Sequence, residues 1–146
     1  MTRLQENLNP LNKSITIACK DALMIDQWNT APFDAILLDA PCSATGTLQA
    51  HPEILITSTP QQQEALIATQ RKLLNTLWQH LKPGGYLLYS TCSIHPDENE
   101  NQIAAFVDHK EDEIKQIETM TLSTRIQESE QGGYAHLLVK KPVDST

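Results

Sequence analysis

Between Asp34 and Cys92 the chain spells out a strand, a helix and a second strand, and no other feature restricts its possible folds as much. DAILLD (Asp34 to Asp39) and GYLLYSTC (Gly85 to Cys92) are short apolar runs bounded by Pro, Gly or Asp, the pattern of buried parallel strands. Between them Thr59 precedes Pro60, with Gln62 just beyond, which predicts an N-cap, a proline at the first helical position and a capping box. Leu66, Ile67, Leu73, Leu74, Leu77, Trp78 and Leu81 then recur at helical spacing. Pro83-Gly84-Gly85 is expected to stop that helix. Two parallel strands joined by a helix make a right-handed βαβ unit, and the fold class is α/β.

A third run, SITIAC (Ser14 to Cys19), precedes this unit and reads as another strand. After it, Pro96, Asp97 and Glu98 suit the first turn of a second helix, where acids meet the positive end of the dipole. Ile103, Phe106 and Val107 give that helix an apolar face. EIKQIETM (Glu113 to Met120) and YAHLLVKK (Tyr134 to Lys141) read as two final strands joined by a polar loop. No helix fits between them, so the pair is expected to be antiparallel. No repeat, low-complexity tract or linker divides the 146 residues, which amount to one domain.

Composition excludes several classes of function. No apolar run approaches the roughly 20 residues that span a bilayer, and MTRLQENLNP lacks the apolar core of a signal peptide. No membrane partner is expected. Cys19, Cys42 and Cys92 form no CxxC pair and read as free thiols of a reducing compartment, so a cytoplasmic location is expected. With 11 basic against 18 acidic residues the net charge is −7, which argues against an independent module that binds nucleic acid through phosphates.

In open α/β sheets ligands bind at the carboxyl ends of the strands. Two strands here end in a cysteine among small polar residues: DAPCSATG (Asp39 sits beside Cys42) and STCS around Cys92. A single free cysteine is most simply a small buried residue. Two of them, each following a strand and one beside an acid, point instead to chemistry in one crevice. His51 and His95 raise a rival reading, a Cys–His hydrolase, but nothing supplies the third, orienting residue. His95 fits better as a helix-start residue. No Cys/His spacing suits zinc, and no metal is expected.

DAPCSATG and STCS, with the stretch LKPGGYLLYSTCSIHPDENE, resemble the Sun family of RNA cytosine-5 methyltransferases. The resemblance runs from RLQENL near the start to GGYAHLLVKK near the end. The SATG ending is most similar to the branch that methylates small-subunit ribosomal RNA; relatives acting on other RNAs more often carry glycine after the serine. The resemblance implies S-adenosyl-L-methionine as cofactor and ribosomal RNA as partner. It makes Cys92 the nucleophile that adds to carbon 6 of cytosine, activating carbon 5 toward the methyl group. It makes Cys42 the group that assists proton removal and release, with Asp39 a catalytic acid at the base or the methyl donor. Asp21 stands where the family places an acid that accepts from the adenine amino group. The target base must leave its stack to reach such a pocket.

The sequence departs from that family in two places. Its five glycines (Gly46, Gly84, Gly85, Gly132 and Gly133) all follow Asp39, so the Gly-rich cofactor loop is missing. Residues 1–146 therefore read as the C-terminal portion of a class I S-adenosylmethionine-dependent methyltransferase domain, with Met1 expected to be an internal methionine or a truncated start. Where the family usually shows arginines the chain reads TLQAHPEI, and Gln49 and Ala50 do not neutralise phosphate. Three readings stay open: the catalytic C-terminal part of a methyltransferase that needs its N-terminal part, a non-catalytic remnant serving as a partner surface, and a thiol-dependent hydrolase.

The family sheet implied by the resemblance has the strand order 3-2-1-4-5-7-6, of which this chain would supply strands 3 to 7. DAILLD, the fourth, would lose its neighbour and become an open edge. SITIAC is expected to slide in beside it, since closing the linker from Lys20 to Phe33 costs only a few kcal/mol. The alternative is a homodimer joined through the exposed sheet edge.

Overall fold

In the computed structural model, residues 15–29, 31–120, 123–126 and 129–143 are described. Strand β1 (Phe33–Asp39) leads through a short helix α1 (Ile54–Thr57) into the crossover helix α2 (Pro60–Gln79) and strand β2 (Leu81–Thr91). The predicted capping box is present. Thr59 Oγ1 accepts from the Gln62 N–H at 3.2 Å, and Gln62 Oε1 accepts from the Thr59 N–H at 2.9 Å. Helix α3 (Glu100–His109) follows, then β3 (Ile114–Met120), a hairpin of β4 (Ser123–Ile126) and β5 (Ser129–Gly132), and β6 (Tyr134–Lys140). The connection expected to be a polar loop thus carries a hairpin of its own.

The main sheet has the order β1-β2-β6-β3, with β1 and β2 parallel and β6 antiparallel to both of its neighbours. That is the 4-5-7-6 part of the order the resemblance implies. Both α2 and α3 lie on one face, where Leu74, Leu77, Trp78, Ile103 and Phe106 pack against Leu38, Leu87, Tyr89 and Leu138. Trp78 and Phe106 meet edge to face at 5.4 Å. Side chains alternate along a strand, so the other face receives Leu37 and Tyr86, which stay 67% and 52% exposed.

Two expectations need correction. Pro83-Gly84-Gly85 does not stop α2, which ends at Gln79. The carbonyls at the helix end find other donors: Lys140 Nζ reaches the Trp78 and Leu81 oxygens at 3.0 and 3.2 Å, and the His80 oxygen accepts from the Phe33 N–H at 2.7 Å. Leu81 is then already a buried strand residue opposite Phe33, and Pro83-Gly84-Gly85 forms a bulge, with Gly84 at φ +77°.

Nor does SITIAC pair with β1. Ser14 lies outside the described residues; residues 15–20 adopt no regular structure, and β2 is the neighbour of β1 in the sheet. The reason lies in the linker. Its residues Ala22–Gln27 wind into a 3-10 helix that buries Ile25 in the core, with Asp26 Oδ1 2.8 Å from His80 Nε2. A linker tied down in this way does not swing SITIAC to the open edge. Among the described residues, no helix is long and apolar enough to cross a membrane.

Candidate active site

The polypeptide leaves β1 at Asp39 and turns at once, because Pro41 has no N–H with which to continue a ladder. It leaves β2 at Thr91, one strand over. Adjacent parallel strands thus deliver Cys42 and Cys92 to the same end of the sheet, and their sulfurs stand 3.3 Å apart. The two exit loops are also joined by backbone: the Ala40 N–H donates to the Ser90 oxygen at 2.8 Å, and the Gly46 N–H to the Cys92 oxygen at 2.9 Å. Gly46 is required at that contact, since a Cβ there would lie 1.9 Å from the Gly132 oxygen.

Cys92 is exposed and Cys42 partly buried. Burial pushes the Cys42 thiol up to about 11, its contact with Cys92 adding to the effect, so it keeps its proton at neutral pH. Either sulfur can donate in that contact. Beside Cys42 opens a cleft of about 580 Å³, walled by Thr45 and His95 on one side and by Ser58, Gln63 and Thr69 of the α2 region on the other. That volume suits a nucleotide-sized ligand. No Lys or Arg is found among its described lining residues.

The two predicted acids part company. Asp39 sits exposed at the end of β1, where its Oδ1 accepts from the Ser90 hydroxyl at 3.3 Å. Asp21 serves its own turn: its Oδ1 accepts from the Leu23 N–H at 2.9 Å and caps the 3-10 helix. Asp39 and the segment after Asp21 nonetheless border one surface cleft of about 470 Å³ along the open edge of β1, lined also by Ala22, Trp28 and Leu37. Cys19 is exposed. Of the histidines, His95 is the N-cap of a short turn, its Nδ1 accepting from the Asp97 N–H at 3.3 Å, and His51 pairs with Glu53 at 3.1 Å. Neither of these contacts sets an imidazole against a thiol, the arrangement a hydrolase base needs. Among the described residues no cluster of His, Cys, Asp or Glu could hold a metal ion.

One residue of the site was read differently from sequence. The sequence puts Glu98 in the first turn of a helix; instead Pro96–Glu98 is a separate 3-10 turn, α3 begins at Glu100, and the Glu98 side chain is fully buried. Its carboxylate accepts from the Ser43 N–H at 2.9 Å, from Gln70 Nε2 at 3.2 Å, and from the hydroxyls of Ser43 and Ser93. The only sequence signal was its place just after the STCS motif. Nothing in local spacing distinguishes an acid that caps a dipole from one drawn inward by donors on two distant loops.

Comparisons with known proteins follow the same lines. A family profile described as 16S rRNA methyltransferase RsmB/F matches residues 1–142. The ribosomal RNA small subunit methyltransferase B of Vibrio cholerae is 45% identical over 113 residues, covering 77% of this chain and 26% of the relative. That of Shewanella oneidensis is 47% identical over 108 residues, covering 73% and 25%. The chain thus spans about a quarter of the length of these curated relatives. Among solved structures, NSun6 from Pyrococcus horikoshii with SFG superposes with a TM-score of 0.72 at 25% identity, covering 95% of this chain and 38% of that one. A methyltransferase homolog protein from the same organism gives 0.68 at 28% identity, covering 96% and 50%.

Proposed function

This chain belongs to the 16S rRNA methyltransferase RsmB/F family, and from that premise we propose that it carries the thiol chemistry of an enzyme that methylates carbon 5 of cytosine in small-subunit ribosomal RNA. The observation that supports this best is the 3.3 Å contact between the Cys42 and Cys92 sulfurs where two parallel strands end. One thiol alone would suffice for addition to a base. Two in contact suit a cycle in which the same bond is made and then broken.

In that cycle the Cys92 thiolate adds to carbon 6 of a flipped-out cytosine held in the cleft beside Cys42. Carbon 5 becomes an enamine carbon and takes the methyl group. Loss of the carbon 5 proton then drives expulsion of Cys92 as the ring double bond re-forms. Cys42, held protonated, donates to the Cys92 sulfur whenever that sulfur carries charge, before addition and again on expulsion. To take the carbon 5 proton itself, Cys42 must first have passed its own proton on. Asp39, exposed at the end of β1 and lining the separate cleft along that strand, would accept from the base or lie at the methyl donor.

S-adenosylmethionine would supply the electrophilic methyl. The described residues fit part of such a group: Asp39 borders the cleft along β1 and offers an acceptor, and Asp21 precedes the lining residue Ala22, while the five glycines lie elsewhere and leave the cleft without a Gly-rich wall of backbone donors. The reading therefore needs the N-terminal part of the enzyme, which would also supply a neighbour for β1 and the basic surface for RNA. A non-catalytic remnant is the outcome if no methyl transfer follows when that part is added.

The test is made with that part supplied. Cys92→Ala should abolish methyl transfer to small-subunit ribosomal RNA, by more than about a thousandfold. Cys42→Ala should instead accumulate a covalent protein–RNA adduct visible on a denaturing gel. A Cys42→Ala protein that turns over normally and forms no adduct would sink the assignment.

A further inference from the structure

We propose that Glu98 is the positioning residue that sets the distance between the two thiols. Ser43 follows Cys42 and Ser93 follows Cys92, in loops 50 residues apart in sequence, and both side chains end on this one carboxylate. Glu98 Oε1 takes the Ser43 N–H and Gln70 Nε2; Oε2 takes the two hydroxyls. Neither cysteine loop can shift without pulling a donor off a carboxylate that is 0% exposed, a costly loss in a buried site.

The carboxylate is itself held from three sides. Tyr89 Oη donates to the Glu98 main-chain oxygen at 2.7 Å and anchors its backbone to β2. Gln70 also donates to the Pro41 oxygen at 2.8 Å, so α2 grips the Cys42 loop just before the thiol. Gln102 of α3 backs Gln70 at 3.4 Å and donates to the Ile67 oxygen at 2.8 Å. On the Cys92 side, Asn99 accepts from the Thr91 hydroxyl at 2.6 Å and donates to the Ser93 oxygen at 2.8 Å. A buried carboxylate whose partners are hydroxyls and amides acts through hydrogen-bond geometry, its two oxygens meeting four partners at once.

What the spacing is for rests on the proposed reaction; the spacing and its cause do not. The test therefore reads the thiols and not methyl transfer. Phenylarsine oxide captures two sulfurs together only when they lie close, so its affinity for the 146-residue chain reports the Cys42–Cys92 distance, with Cys42→Ala as the single-thiol control. Glu98→Ala and Ser93→Ala should each weaken capture by about tenfold or more, with circular dichroism and alkylation of Cys19 unchanged. Glu98→Gln can turn its amide oxygen to the Ser43 N–H and Gln70, and its nitrogen to the rotatable hydroxyls. It should stay within about threefold of the native protein. If Glu98→Ala does not fold, Ser93→Ala decides, because it leaves three donors on the carboxylate and cuts only the tie to the Cys92 loop. Folded variants that capture the arsenical as well as the native chain overturn the proposal, as does a Glu98→Gln protein as weak as Glu98→Ala.

Discussion

Ala44 occupies φ 55°, ψ 23°, a left-handed conformation that a residue with a Cβ enters at a cost of about 1–2 kcal/mol. The strain is imposed from both sides. Cys42 must reach Cys92, and two residues beyond Ala44 the chain presses Gly46 against Gly132 and the Cys92 carbonyl. The turn left between them is closed by Thr47, whose N–H and hydroxyl both donate to the Ala44 oxygen at 2.9 and 2.8 Å. A glycine would enter the same conformation without that cost. Ala44→Gly should raise unfolding stability by about 0.5–1 kcal/mol, the relief of strain less the added freedom of the unfolded chain. A urea titration showing lower stability would mean that the loop carries no such strain.

At the scale of elements, β6 lies between β2 and β3 and turns Tyr134, His136 and Leu138 into the core. His136 Nδ1 lies 3.2 Å from Tyr134 Oη, while its buried Nε2 has no hydrogen-bond partner among the described residues. Burial lowers the His136 pKa below the usual histidine range. A buried neutral imidazole stabilises the fold above the unfolded-state pKa, because protonation there favours the unfolded chain. That contribution is lost as pH falls through the depressed folded-state value. Comparing the native protein with His136→Phe isolates this effect from other titrations. Relative to the variant, the native protein should lose thermal stability between pH 7.5 and pH 5. An unchanged difference in Tm across that interval would show that His136 does not titrate on unfolding.

Across the whole molecule the asymmetry of the sheet dominates. Helices cover one face, while Leu37 and Tyr86 stay open on the other, and among the described residues β1 has a neighbour on one side only. The part of a methyltransferase sheet present here holds the thiols, yet only one wall of the cleft along β1. On the proposed reading Asp21 and Asp39 would offer about two charge-assisted contacts, each worth some 1.5–3 kcal/mol before the costs of binding. The 146-residue chain by itself should bind S-adenosylmethionine no more tightly than about millimolar, on the order of −4 kcal/mol. Adding the Gly-rich part of a relative should tighten that markedly. Micromolar binding by calorimetry to the chain alone would show that the cleft along β1 suffices.

Local signals determined the parts whose causes are local. Thr59, Pro60 and Gln62 specified a helix start because a cap is satisfied within one turn. DAILLD and GYLLYSTC were legible as parallel strands from composition and their turn residues. The cysteine pair was legible too, since strands leaving the same sheet in parallel must deposit their exits at one end. The rest was decided by tertiary structure. Lys140, remote in sequence, gives the end of α2 its donors, and so Pro83-Gly84-Gly85 became a bulge rather than a stop. SITIAC stayed unpaired because Ile25 and Asp26 bind its linker to the core, and a strand forms only where a neighbouring edge is within reach. Glu98 was invisible for the same reason: its four donors come from Ser43, Gln70 and Ser93, and only the folded sheet brings those three residues to one point.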